Sequence, residues 1–274
     1  MTLSVADHRP LSGRVRLLLA AIGRGTRNRV AFALRVLALS FGVLCELPQP
    51  LSWRRTVRAE FARILRQAVG GGLVTTIVAA GSIGVAMIYQ ALFWLGEAGQ
   101  ERLIGSILVT VLVREVAPVL VGMILLGRSG TAAAAEIGML HAGRQVERLM
   151  AQGIDPFLML VLPRATGLAL ASYTLGIVFV ITALAVGFGA GTLGGGVLMS
   201  SWEFSSTVLE AMRPADFIVF PSKMLLIGMF VALTAALTGF DAANSDETTS
   251  LLPRTFARGL VAIMLTSVVL SMAI

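Results

Sequence analysis

The sequence predicts an all-α integral membrane protein: an N-terminal interfacial helix, then five transmembrane helices, with a short cytoplasmic helix between the second and third. Three observations carry that prediction. Of the 274 residues, 56% are hydrophobic and 14% charged, with mean hydropathy +0.86. Such a chain turns its largest buried surface toward lipid rather than toward its own interior. Residues 68–95 form a run of 28 without one charge, longer than the roughly 20 residues that cross a bilayer. The arginines, finally, gather at the ends of apolar runs, where they fix orientation. A net charge of +7 and a pI near 11.1 therefore mark membrane topology, and nucleic-acid binding is the weaker reading.

Residues 1–66 form a basic cytoplasmic segment. The run LLLAAI at 17–22 is too short for a signal-peptide core and is followed at once by Arg24, Arg27 and Arg29, so no cleavage is expected. The next apolar run, 36–51, carries Glu46, Pro48 and Pro50 and is too short to span. Seven arginines precede it and Arg54, Arg55, Arg58, Arg63 and Arg66 follow. Crossing there would strand one cluster outside, so an interfacial amphipathic helix is expected.

The membrane domain occupies 67–274. Its first span is 68–95, with Tyr89 and Trp94 toward the far end, where aromatic belts sit. An acidic turn with Glu97, Glu101 and Arg102 leads to a second span, 103 to about 127, and the Gly/Ala-rich stretch that follows is expected to leave the membrane. The third span runs from about 157 to 190, the fourth over 217–240, and the last over 256–274, whose 19 residues just cross about 30 Å of hydrocarbon. With the N-terminus inside, cytoplasmic segments hold 18 of the 22 basic residues and external ones only Arg102 and Arg213, which places the C-terminus outside. Lys223, near the outer end of the fourth span, is read as snorkelling to the interface.

The chemistry available is narrow. The single cysteine, Cys45, allows no intrachain disulfide, and with His8 and His141 as the only histidines a metal site has almost no ligands. Lys223 is the only lysine and follows Phe220-Pro221-Ser222, so no Walker-type G-x-x-x-x-G-K-[ST] loop exists. No cofactor is expected, and a hydrolase would need a nucleophile with a base that the spans do not offer. Charge inside lipid is the informative feature. Arg114 and Glu115 are adjacent, hence about 100° apart on a helix, and each needs a partner elsewhere. A buried packing anchor is the favoured role, and a proton or ion relay the alternative. Pro118 is expected to kink the span.

Small residues repeat at four-residue spacing in Gly187, Gly191 and Gly195 and in Gly127, Thr131 and Ala135. Such faces suit close helix approach, within one chain or between two. Between the second and third spans, about 141–152 reads as a short amphipathic helix whose apolar stripe is Val146, Leu149 and Met150. Gly153 can end it, and Asp155 can cap the next helix with Pro156 in its first turn. The stripe suits either the chain's own cytoplasmic surface or a partner's groove.

The run REVAPVLVGMILLGRSGTAAAAEIGML from Arg114, followed by the Gln145 helix and GIDP, resembles the signature of the MlaE/YrbE permeases, the membrane subunits of lipid-transporting ABC systems that work with MCE-domain proteins. The likeness is dense over 114–164 and collinear to the end, including GFDA at 239–242. Arg114, Glu115, Pro118, Gly127, Arg128, Gly130, Glu136, Gly138, Gln145, Asp155, Pro156, Pro163 and Arg164 match the pattern. Gly143-Arg144 and the stretch DETTSLLPRTF after GFDA depart from it. The resemblance implies a permease dimer in the bacterial inner membrane, bound by cytoplasmic ABC ATPase subunits and moving phospholipid to or from a periplasmic MCE assembly. It implies that Glu136, Gly138, Gln145, Val146, Glu147, Leu149, Asp155 and Pro156 couple the permease to its ATPase, and that Arg114, Glu115, Pro118 and Arg128 are intramembrane polar and kink positions. An ion- or proton-coupled carrier using Arg114 and Glu115, or a non-transporting scaffold, are the other readings. Spans without charge favour an acyl-chain path over a carrier, which would show polar groups at midplane.

Overall fold

The computed structural model describes residues 11–97, 104–194, 200–241 and 248–272, all of their regular structure helical. Glu101, Arg102, Gly195, Asp246 and Glu247 of the departure after GFDA, and the last two residues fall outside that set. In chain order the helices are α1 (Leu11–Glu46), α2 (Arg55–Glu97), α3 (Gly105–Ala142), α4 (Gln145–Ala151), α5 (Phe157–Leu193), α6 (Ser201–Ala211), α7 (Asp216–Phe240) and α8 (Thr248–Ser271).

α1 is longer than the run 36–51 suggests, because Ala, Leu and Arg from position 11 onward are good helix formers and extend it toward the N-terminus. It stops at Glu46, ahead of Pro48 and Pro50. Thr26–Glu46 is long and apolar enough to cross a membrane, which gives six helices of that kind among the described residues where five are expected. Its contacts lie with the end of α7 and the early turns of α8 and α5: Arg35 is 3.6 Å from Asp241, Arg258 sits 4.2 Å over the Phe32 ring, and Gly42 packs on Phe157.

The helix that carries the second span runs past its apolar run: α3 continues through Gly127 to Ala142, 38 residues in all, about 57 Å at 1.5 Å per residue. Helix-favouring Ala, Met and Leu keep the Gly/Ala-rich stretch helical. Leu108–Val116 and Leu126–Gly130 are wider π turns within it. Pro118 follows directly on the first, so its missing N–H and its ring fall where the helix is already unwound, and the wide turn takes the place of a sharp kink. α5 repeats the device: Phe157–Val161 is π-helical just ahead of Pro163. α8 begins eight residues before the expected position 256.

α2, α5 and α7 form the centre of the bundle, with Leu168, Leu175, Phe179 and Met224 among its enclosed side chains. α2 meets α5 backbone to backbone. A Cβ on Gly84 would lie 2.0 Å from the Ala183 carbonyl oxygen, so glycine is what permits that crossing. Gly187 of the sequence repeat serves the same crossing from α5, against the Gly84 carbonyl, whereas Gly127 of the other repeat faces open space.

Candidate functional site

α3 carries polar groups at both ends of one long rod, and the neighbouring helices answer them differently. Arg114 and Glu115 lie in its first π turn and point to separate partners, as their adjacency requires. Arg114 meets Asp216 in the first turn of α7 through two contacts, Nη2 to Oδ2 at 2.8 Å and Nε to Oδ1 at 2.8 Å. Asp216 is 2% exposed, and its Oδ2 also accepts the Arg213 backbone N–H at 2.8 Å. This two-pronged pairing holds the start of α7 to α3.

Glu115 turns to α7 and α8. Lys223 Nζ lies 3.4 Å from its Oε1, Ser271 Oγ donates to it, and Ser267 Oγ is 3.4 Å from Oε2. Lys223 is therefore not a snorkelling residue. It is 1% exposed, and its ammonium also donates to the Arg114 carbonyl at 2.6 Å and to Ser271 Oγ at 2.8 Å. A carboxylate within reach on α3 holds the ammonium inside, whereas snorkelling needs an unpaired stem running to the interface. The two cations and two carboxylates balance, and they tie α3, α7 and α8 together.

Twenty-two residues on, about 33 Å along the rod, Glu136 occupies the other end. Its carboxylate meets Arg164 of α5 at 2.8 Å and Arg63 of α2 at 3.4 Å. Arg63 is also paired with Glu60 at 2.6 Å, and the buried Arg164 donates to the Leu160 carbonyl at 3.0 Å. The end of α7 closes the same side of the bundle, where Asp241 of GFDA holds Arg258 at 3.1 Å. Gly138 is buried on α3, and Arg128 lays its guanidinium over Gly71 of α2.

Beyond Glu136 the chain breaks at Gly143-Arg144. The Gly143 N–H closes α3 on the Met139 carbonyl at 2.9 Å, and Arg144 takes the left-handed conformation, φ 55°, a rare one for a residue with a Cβ. The expected helix over 141–152 is thus divided: His141 and Ala142 belong to α3, and the separate rod is Gln145–Ala151. Gly153, at φ +74°, ends it, and Asp155 Oδ1 accepts the Phe157 N–H at 2.8 Å beside Pro156. The stripe splits as well. Val146 is 3% exposed and fastens the rod to its own chain, Leu149 is half-buried, and Met150 is 58% exposed, with Gln145, Glu147 and Arg148 also open.

Sequence reasoning missed Asp216, the pairing role of Lys223, and α6. The last was legible, since Ser200 followed by Glu203 is a helix start, and the Glu203 N–H does bond to Ser200 Oγ at 3.2 Å. Phe204 and Val208 then bury one face against Ile88 and Leu108.

Known proteins resemble this chain in sequence. The chain is 28% identical over 222 residues to the intermembrane phospholipid transport system permease protein MlaE of Haemophilus influenzae, covering 76% of this chain and 77% of that one. It is 26% identical over 225 residues to a probable ABC transporter permease protein of Synechocystis, covering 79% and 81%. It is 31% identical over 129 residues to the chloroplastic protein TRIGALACTOSYLDIACYLGLYCEROL 1 of Arabidopsis thaliana, of whose length it spans only 35%. Residues 61–273, which take in every group described above except those of α1 and Glu60, match the family described as Permease MlaE. With its apolar helices and these relatives, the chain is a multi-pass membrane permease of the ABC-transporter kind, and it belongs to the MlaE permease family.

Proposed function

We propose that this chain is the inner-membrane permease of an ABC transporter that moves phospholipid, or a similar lipid, between the inner membrane and a periplasmic MCE-domain assembly. In this reading it works as a dimer, with ATP hydrolysis in a cytoplasmic partner subunit. The observation that carries the proposal is α4, a rod of seven residues set between two helices long enough to cross the membrane and bounded by Arg144 and Gly153. It is anchored through Val146 and offers Gln145, Glu147, Leu149 and Met150 outward. A short rod held at both ends can pass a push from a bound ATPase to α3, which carries Glu136 and Gly138, and to α5, which Asp155 and Pro156 lead into. The printed name of the Haemophilus influenzae relative supports the choice of phospholipid.

Truncating one apolar anchor at an interface costs about 2 kcal/mol, roughly thirtyfold in affinity. Leu149→Ala with Met150→Ala is therefore expected to leave the protein inserted and folded while ATPase association, read by co-purification and titration, weakens at least that far or hydrolysis uncouples from lipid movement. Normal association together with normal lipid transport in that variant would reject α4 as the coupling element.

The N-terminus and α4 are placed in the cytoplasm and the C-terminus in the periplasm. α1 then lies along the cytoplasmic face. Its contacts with Asp241, Arg258 and Phe157 sit at one end of the bundle, and Val30, Leu34, Leu37, Phe41 and Leu44 make an exposed apolar stripe down one side of it. Single cysteines on a Cys45-free background should be labelled from outside at Gln100 and Ser205 but not at Asp7 or Gln145. Outside labelling at Asp7 would make α1 a sixth span.

A further inference from the structure

Where α2, α3 and α5 meet at the Glu136 end of the bundle they enclose a cavity of about 320 Å³, at the lower end of the roughly 300–1,000 Å³ of small-ligand sites. Its buried lining is apolar, with Ala68, Ala133 and Leu168, and its charged lining is Arg63, Arg128, Glu136 and the buried Arg164. The carboxylates do not balance those arginines. Glu60 and Glu136 are both engaged by Arg63 and Arg164, and among the described residues Arg128 has no ion-pair partner. Arg128 is exposed, and its guanidinium lies over Gly71, where a Cβ would come within 3.1 Å of Nη2.

We propose that the cavity is a phosphate site for an amphiphile, with Arg128 as its principal ligand, Arg63 and Gln67 beside it, and the apolar lining taking the start of an acyl or glycerol moiety. A guanidinium matches the oxygens of a phosphodiester two at a time, and basic pockets between membrane helices are suited to lipid headgroups. The depth fits as well: Ala68 opens the charge-free run of α2, and Arg128 stands just beyond the apolar run of α3. The inference rests on the proposed topology only for assigning this depth to the cytoplasmic leaflet.

The test uses the full chain purified in detergent, titrated by native mass spectrometry with phosphatidylglycerol and with diacylglycerol of the same acyl chains, and separately with millimolar inorganic phosphate. Phosphatidylglycerol is expected to be retained and diacylglycerol not. Arg128→Gln should weaken retention about tenfold, the weight of one charge-assisted contact, and Arg128→Lys should recover part of it. Gly71→Ala keeps every charge and favours the helix, yet should weaken retention several-fold by displacing the guanidinium. Displacement of the lipid by inorganic phosphate would show that the site takes the phosphate group from either source, and lack of displacement that it takes the group on a lipid. Equal retention of diacylglycerol, or unchanged phosphatidylglycerol binding in both Arg128→Gln and Gly71→Ala, would overturn the proposal. No ATPase or transport enters the binding measurement, so its failure leaves the transporter reading standing.

Discussion

Arg114→Met is expected to cost the inserted, folded protein about 3–5 kcal/mol, the penalty for leaving one member of a buried ion pair without the other. Asp216 is 2% exposed, and with the guanidinium gone its carboxylate keeps a single donor, the Arg213 backbone N–H at 2.8 Å. At that exposure solvent does little to replace the lost contacts, so the charge is carried largely uncompensated or the first turn of α7 opens. Adding Asp216→Asn removes that charge while preserving an acceptor for Arg213. The double variant should recover most of the loss, since an ion pair replaced as a unit is often nearly neutral. Apparent melting temperatures of the detergent-purified protein, followed by size-exclusion chromatography after heating, should fall by roughly 10 °C in the single variant and by far less in the double. A single variant that melts like the wild type would show that α7 is held to α3 by packing alone.

What could be read from the sequence divides along a physical line. Spans, arginine placement, the caps at Asp155 and Gly153 and the need of Arg114 and Glu115 for distant partners all follow from local composition and helix geometry. They were visible because lipid punishes error one residue at a time. The partners themselves were not visible. Asp216 looks like an interfacial acid and Lys223 like a snorkelling base, and only the fold shows that α7 brings both against the same π turn of α3. How far the helix continues past the second span was hidden for a related reason. A run of Gly, Ala and Ser loses hydropathy without losing helicity, so the apolar signal faded at Gly127 while the helix went on to Ala142. The division of the cytoplasmic helix at Arg144 had no signal beyond Gly143, because a left-handed arginine follows from tertiary constraint rather than from preference.

Glu115→Gln should cost about 2 kcal/mol in the same measurement, because the Lys223 ammonium, 1% exposed, loses its counter-charge and keeps only neutral acceptors, the Arg114 carbonyl, Ser271 Oγ and the new amide oxygen. Combining it with Lys223→Met should restore much of the stability, for the pair is then gone and the methylene stem that fills the space between α3, α7 and α8 is retained. This pair is also a place where the chain could relay protons, since a carboxylate, an ammonium and the hydroxyls of Ser267 and Ser271 lie in one chain of contacts. The packing role and the relay role predict different transport. With the chain reconstituted alongside its ATPase and lipid acceptor, the packing role predicts lipid movement that ignores a collapsed proton gradient in the wild type. In Glu115→Gln it then predicts a lower amount of active complex and unchanged gradient independence. A wild type that needs the gradient, and a Glu115→Gln complex that stays intact but no longer responds to it, would transfer the pair from architecture to mechanism.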